Sequence, residues 1–173
     1  MSDAARTRGR YERKVLLSGI SAAEIELMLK SHPLLFGEIH HQRYINNVYF
    51  DTVDRGMYVD AGEGASSRRK IRVRWYGDLL GAVERPVLEY KNKLGLVGWK
   101  DSFPMNSFQI SGEEGGPSLR GLMKTQEGEV AVDQEISTLV PVLANRYSRR
   151  YFQSFGGHIR ATIDTELTYY RLP

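Results

Sequence analysis

Lys70-Ile71-Arg72-Val73-Arg74-Trp75-Tyr76 alternates cationic and apolar residues with a period of two. A β-strand sends successive side chains to opposite faces. Read as a strand, the stretch puts Lys70, Arg72 and Arg74 on one face and Ile71, Val73 and Trp75 on the other. The apolar face calls for burial, and the cationic face calls for an anion. Two like charges about 4 Å apart repel by roughly 4 kcal/mol at an effective dielectric of about 20. The planar fork of arginine suits phosphate especially well. A single amphipathic strand with one wet, charged face is common in antiparallel sheets, so the weight of this reading depends on whether other strands repeat the pattern.

They do. Arg10 to Leu17 reads as a strand with Arg10, Glu12 and Lys14 on one side. Pro86 to Lys93 places Glu89, Lys91 and Lys93 together, opposite Leu88 and Tyr90. Trp99 to Pro104 starts another strand, which carries Lys100. Leu143 to Phe152 contains Arg146-Tyr147-Ser148-Arg149-Arg150, and Ile159 to Leu167 sets Arg160, Thr162, Asp164 and Glu166 on one face. Tyr147 and Tyr151 share a face with Arg149 and are expected to pack around it. Independent solvated faces would not need the same sign of charge each time. A sheet curled to bring these faces inward would enclose a basic cavity, and closure would also remove the sheet edges.

The remaining segments are accessory. Ser21-Ala22-Ala23-Glu24 is a capping box opening a helix with Ile25, Met28 and Leu29 along one stripe, ending near Ser31 before Pro33. Pro33 to Phe36 reads as a buried connector. Asn46 to Asp51 is a strand, residues 53–60 a short helix or turn, 61–67 a small-residue loop, and 78–85 a turn. Residues 107–140 read as a helical excursion outside the sheet, with helical character over Ser118–Met123 and Asp133–Val140. Gly156-Gly157 marks a hairpin turn. Residues 1–9 are expected to be a disordered tail, followed by one domain over residues 10–173. The expected fold class is α+β: an antiparallel β-tunnel, a closed or partly open barrel, with a few helices outside.

Composition sets outer bounds. The chain has 173 residues, 41% hydrophobic and 26% charged, ordinary for a globular domain with a real core. It has no cysteine, which excludes disulfides and thiolate metal sites. No apolar run approaches the roughly 20 residues of a membrane span, and Met1 to Arg6 lacks the apolar core of a signal peptide. These features suit a cytoplasmic protein. The net charge of +3 is low for a protein that coats nucleic acid. There is no phosphate-cradling glycine loop; Gly62-Glu63-Gly64 lacks a third glycine and is followed by a strand. No Ser/His/Asp or Cys/His constellation is visible. His40-His41 points opposite ways on a strand and reads as solvent-exposed. Trp75 and Trp99 could stack on a base, but aromatic strand residues usually pack. Arg43, Arg55, Arg68, Arg69 and Arg150 read as surface charges.

Six segments in order, Tyr11-Glu12-Arg13-Lys14, Asn47-Val48-Tyr49-Phe50-Asp51, Arg72-Val73-Arg74-Trp75-Tyr76-Gly77, Glu89-Tyr90-Lys91-Asn92-Lys93, Arg146-Tyr147-Ser148-Arg149 and Arg160-Ala161-Thr162-Ile163-Asp164, resemble the VTC domain of the triphosphate tunnel metalloenzymes, relatives of the CYTH phosphatases. The resemblance covers roughly residues 10–170. It implies a tunnel lined by Arg and Lys in which inorganic polyphosphate is made from the terminal phosphate of ATP with a divalent metal, Mn2+ or Mg2+. By motif position, Lys14 matches the first tunnel lysine, Arg72 and Arg74 the paired arginines, Lys91 and Lys100 the lysines of the next two strands, and Arg149 and Arg160 the late arginines. Lys14, Arg72, Arg74 and Lys91 are thus the candidate catalytic residues. Lys100, Arg149, Arg160, Lys70, Lys93 and Arg146 are candidate substrate contacts. Glu12 and Glu89 are candidate metal ligands, with a salt bridge to a tunnel arginine as the alternative role. Asp164 and Glu166 are the other carboxylates expected inside.

The sequence departs from the resemblance in two places. The signature Glu-x-Glu-x-Lys reads Arg10-Tyr11-Glu12-Arg13-Lys14, which favours the polymerase branch over a simple triphosphatase. Family members also continue beyond the position of Pro173 with strands that supply a metal-binding glutamate and a lysine. Those positions are not in this sequence, so the tunnel domain is expected to lack its C-terminal strands. The expected function is metal-dependent polyphosphate synthesis, with binding without turnover favoured for the chain as given. A module that binds polyphosphate or triphosphate without turnover, or an inorganic triphosphatase, is the alternative. The expected partners are ATP, polyphosphate or triphosphate, with no nucleic acid; any membrane partner lies outside what this chain encodes.

Overall fold

The structure, a computed structural model, describes residues 12–113, 116–117, 125–126 and 130–172. The expected tail at residues 1–9 and the expected helix at Ser118–Met123 lie outside the described residues. The elements in order are α1 (Ala22–Ser31), β1 (Gly37–Asp51), α2 (Gly56–Gly62), β2 (Ser67–Tyr76), β3 (Gly81–Val83), β4 (Val87–Leu94), β5 (Val97–Pro104), β6 (Phe108–Ile110), β7 (Gly112–Glu113), β8 (Gly116–Pro117), α3 (Val130–Ser137), β9 (Val140–Gln153) and β10 (Arg160–Arg171). The chain is mostly antiparallel sheet with a few helices. Six strands form one sheet in the order β10-β9-β1-β2-β4-β5, with every pairing antiparallel. The sheet is open, with β10 and β5 at its edges.

Register sorts the side chains into two faces. Val48 faces Val73, Phe50 faces Ile71, Ile71 faces Tyr90 and Val73 faces Leu88. These residues, with Trp75 and Ala144, are buried in one core cluster. Met57 of α2, Ile136 of α3, Val83 of β3 and Ile110 of β6 pack against the same cluster. A second cluster of Phe36, Phe152 and Ile163 is covered by Ile25 and Leu29 of α1. The described helices therefore all lie on one side of the sheet, as two-layer packing requires. The face carrying Lys70, Arg72 and Arg74 is the other one. A one-residue slip would swap the two sets, so burial of the apolar set fixes the register.

Local chemistry sets the element ends. Ser21 and Glu24 form the expected capping box, with Glu24 N–H donating to Ser21 Oγ at 3.2 Å and Ser21 N–H donating to Glu24 at 2.8 Å. Arg150 ties α1 to the sheet by pairing with both Glu26 and Glu38, so it is not the plain surface charge expected. Asp51 is buried where β1 turns into α2. It accepts backbone N–H groups from Thr52, Met57 and Tyr58 at 2.8–2.9 Å. The segment 78–85, expected as a turn, contains β3, which pairs with β6. Of the connector 33–36, only Phe36 is buried; Leu34 and Leu35 are exposed.

The strand expected from Arg10 to Leu17 does not form over its described part. Residues 12–20 pair with nothing in the sheet, and Val15, Leu16 and Leu17 are exposed. Alternation alone cannot make a strand, because ladder hydrogen bonds need a partner.

Replacing Asp51 with alanine should cost about 1–3 kcal/mol, because three part-buried N–H groups lose their acceptor. Urea unfolding of Asp51→Ala and Asp51→Asn measures this, with the asparagine variant expected to lose less.

Candidate functional site

On the open face, residues from β2, β4 and β5 stand in cross-strand rungs. Arg68 lies opposite Lys93. Lys70 lies opposite Lys91, which lies opposite Lys100. Arg72 lies opposite Glu89, which lies opposite Ser102. Cβ atoms directly across an antiparallel pair are about 4.5–5.5 Å apart, and like charges there are destabilising. Nothing in the core requires three lysines in one rung.

Glu89 is the centre of this face. It is 5% exposed and is approached by Arg72 Nη2 at 2.7 Å, Lys100 Nζ at 3.0 Å and Arg74 Nη1 at 3.6 Å. Burial alone would push its carboxyl up, but Arg72 and Arg74, with hydrogen bonds from Lys100 and Arg72, hold it below the usual carboxylate range. Burial also works against the charge of Arg72, and Glu89 and the Tyr49 hydroxyl outweigh it, so the guanidinium stays charged. Arg72 Nη1 donates to Tyr49 Oη at 3.2 Å. Arg74 Nε donates to Asn47 at 3.0 Å, and Asn47 in turn donates to Asn145 at 2.9 Å. One network thus runs from β5 to β9.

At the other end of this face, Arg149 makes a two-bond pair with Asp164 at 2.6 and 2.7 Å. Burial opposes its charge, and Asp164 more than compensates, so its pKa is raised. Its guanidinium lies 5.0 Å from the Tyr147 ring and 6.0 Å from Tyr151, as the shared face predicts. Arg43 lies between the rings of Tyr76 and Tyr151, at 4.7 and 4.8 Å, and its buried Nε has no hydrogen-bond partner among the described residues. Two shifts of register in β1, between Glu38 and Arg43, adjoin this end; bulges often sit beside functional sites.

The structure therefore brings Lys70, Arg72, Arg74, Lys91, Lys93, Lys100, Arg149 and Arg160 to one face of one sheet. Four of the expected residues do not join them. Lys14 is in the unpaired segment with its side chain 83% exposed, its nearest acid being Glu12 at 3.7 Å. Glu12, in the same segment, also has an exposed side chain. Arg146 lies opposite Asn46 and Thr168 and stacks on Tyr44 at 3.9 Å, on the face opposite to Arg149. Strand parity separates residues 146 and 149. Glu166 also leaves the cationic face. A bulge between Thr165 and Thr168, with Glu166 at φ 56°, lets it accept from the Tyr44 hydroxyl at 2.6 Å. Tyr49, Asn47 and Asn145 were given no site role in the sequence, and Arg43 was read as a surface charge. Tyr49 and Asn47 share the parity of Arg72 and Arg74, which was the available signal.

A divalent metal fits the described side chains poorly. Glu89 is surrounded by three cations, Glu12 is exposed beside Lys14, and no group of three His, Asp or Glu among the described residues could hold an ion. His40 and His41 are exposed, His40 packing edge-on against Tyr151. Trp75 is core, and Trp99 is half-exposed opposite Asn92.

The VTC domain family profile matches residues 9–172, nearly the whole chain. This chain belongs to the VTC domain family. Membership in the VTC family suggests a polyphosphate-related function and fits a sheet face built of cations. No curated protein matches the chain. No helix among the described residues is long and apolar enough to cross a membrane.

The pH dependence of this VTC domain follows from Glu89. Its folded pKa is depressed, so its contribution is complete above the unfolded carboxylate value of about 4.3 and is lost as pH falls through the lower folded value. Glu89→Gln should lose about 1–3 kcal/mol at neutral pH. Thermal melts from neutral to acid pH should show the gap between variant and native protein narrowing below about pH 4.

Proposed function

We propose that the cationic face binds a chain of phosphates and that the domain transfers the terminal phosphoryl group of ATP to polyphosphate. The observation that carries this reading is the rung of Lys70, Lys91 and Lys100 beside Arg72 and Arg74. Lys70, Lys91 and Lys93 make no ion pair among the described residues. A linear polyanion neutralises such a row without any change in fold.

The roles divide by chemistry. Arg72 and Arg74 are oriented by Glu89, Tyr49 and Asn47 and keep N–H donors to spare, since a guanidinium has five. They grip phosphate oxygens in fixed geometry. Lys70, Lys91, Lys93 and Lys100 supply mobile point charges along the chain. Phosphoryl transfer needs little covalent help; it needs reactants held in line and positive charge where the phosphoryl oxygens gain negative charge. Arg149 and Arg160 extend the track towards Arg43. A divalent cation, Mn2+ or Mg2+, would enter on the phosphate oxygens of ATP, as hard cations commonly do, since no cage of protein carboxylates awaits it among the described residues.

The open edges β5 and β10 carry unpaired backbone groups. Residues 12–20 form no strand with the described sheet, and a further tunnel wall built from this segment would bring Lys14 to the phosphates. Without that wall the same face serves as a polyphosphate-binding module. The exposed position of Lys14 favours this second reading for the unliganded state.

Incubation with ATP and Mn2+ separates the readings. Polymer supports synthesis, free phosphate a triphosphatase, and binding without turnover a sensor module. Tripolyphosphate should raise the melting temperature of the native protein. Arg72→Ala with Arg74→Ala should lower its affinity at least roughly tenfold, the loss of one or more charge-assisted contacts. An unchanged affinity would remove both arginines from the site.

A further inference from the structure

The β4–β5 hairpin ends in a two-residue turn, Gly95-Leu96, between the paired Leu94 and Val97. Gly95 alone has positive φ, +58°, as a type II′ turn requires at its first central position. The second central position favours a small polar residue. Here it holds Leu96, 99% exposed. Leu94, Val97 and Trp99 beside it are also exposed, and by parity they share the face opposite the lysines. The first rung behind the tip is Arg68 opposite Lys93. The tip is thus apolar at its apex and on one side, and cationic on the other.

The tip is tied to the neighbouring strand. Gly95 N–H donates to Ser66 O at 2.7 Å, which ties the tip to the start of β2. The α2 helix packs beside β2 through Met57 and leaves Tyr58 exposed. Folding explains none of these exposures, because each costs the protein hydration of apolar surface without a packing return.

We propose that the β4–β5 tip docks peripherally on an anionic lipid bilayer, with Leu96, Val97 and Trp99 entering the headgroup region and Arg68 and Lys93 meeting lipid phosphates. The shape favours a bilayer over a protein. A projecting apex has no groove to fill, whereas a deformable headgroup layer can receive it. The charge favours the same occupant, since cations next to an apolar apex complement an anionic surface. Tryptophan, apolar in body and polar at its N–H, suits that depth. This inference is independent of whether the phosphate track turns ATP over.

The test is co-sedimentation of the full chain with phosphatidylcholine vesicles, with and without about 30% phosphatidylserine. The native protein should bind the anionic vesicles. Leu96→Ser, Val97→Ser and Trp99→Ser combined should weaken binding at least roughly tenfold while tripolyphosphate affinity stays the same. Leu96→Asn alone, at an exposed turn position, should retain the native melting temperature and still weaken vesicle binding. Equal binding by native and variant proteins would assign the attraction to the cationic face alone and overturn the proposal. No binding by the native protein, or a dimer dissolved by Leu96→Asn in sedimentation velocity, would overturn it as well.

Discussion

A single buried carboxylate makes the cationic face tolerable to the folded state. Glu89 sits between Leu88 and Tyr90, both of which face the core. Packing those two residues forces Glu89 onto the opposite face, between Arg72, Arg74 and Lys100. Its ionised form is favoured by those cations, and their charged forms are favoured by it. Removing Glu89 would leave Arg72 and Arg74 part-buried without their acid partner, which is the costly way to break a buried ion pair. The core thus dictates the register, the register builds the ion network, and the network fixes the arginines on the open face of the sheet.

Much of this was legible in the sequence because period two is a direct consequence of strand geometry. The run from Lys70 to Tyr76 gave both the core side chains Ile71, Val73 and Trp75 and the open-face cations. The strands with Lys91, Lys93 and Lys100 followed by the same rule. What alternation could not provide was a partner. Arg10 to Leu17 has a pattern compatible with a strand, yet its described part joins neither open edge of the sheet, because alternation does not specify which edge a segment reaches. Glu166 escaped the pattern through a bulge, which resets parity and is not encoded by alternation. Arg146 is a different case. Its parity places it opposite Arg149, and reading the segment Arg146–Arg149 as one motif obscured that.

The side chains missed were the neutral ones. Tyr49, Asn47 and Asn145 carry no charge to draw the eye, yet they fix the guanidinium planes. Arg43 looked like a surface charge, although it lies between two tyrosine rings contributed by β2 and β9. Such contacts arise across strands far apart in sequence, so only the topology reveals them.

Division of labour between arginine and lysine then explains why the face is both rigid and strongly charged. The arginines are partly neutralised by Glu89 and Asp164, so they contribute direction more than net charge. Lys70, Lys91 and Lys93 have no acid against them among the described residues, so they contribute net charge and little direction. Strands β2, β4 and β5 place Arg68, Lys70, Arg72 and Arg74, then Lys91, Lys93 and Lys100, on this face against Glu89 alone. That local excess is larger than the +3 of the entire chain, so the rest of the protein is net acidic. A polyanion approaching this domain is drawn to one face and repelled by the remainder. Orientation is therefore set before contact, by charge placement that the sheet itself enforces.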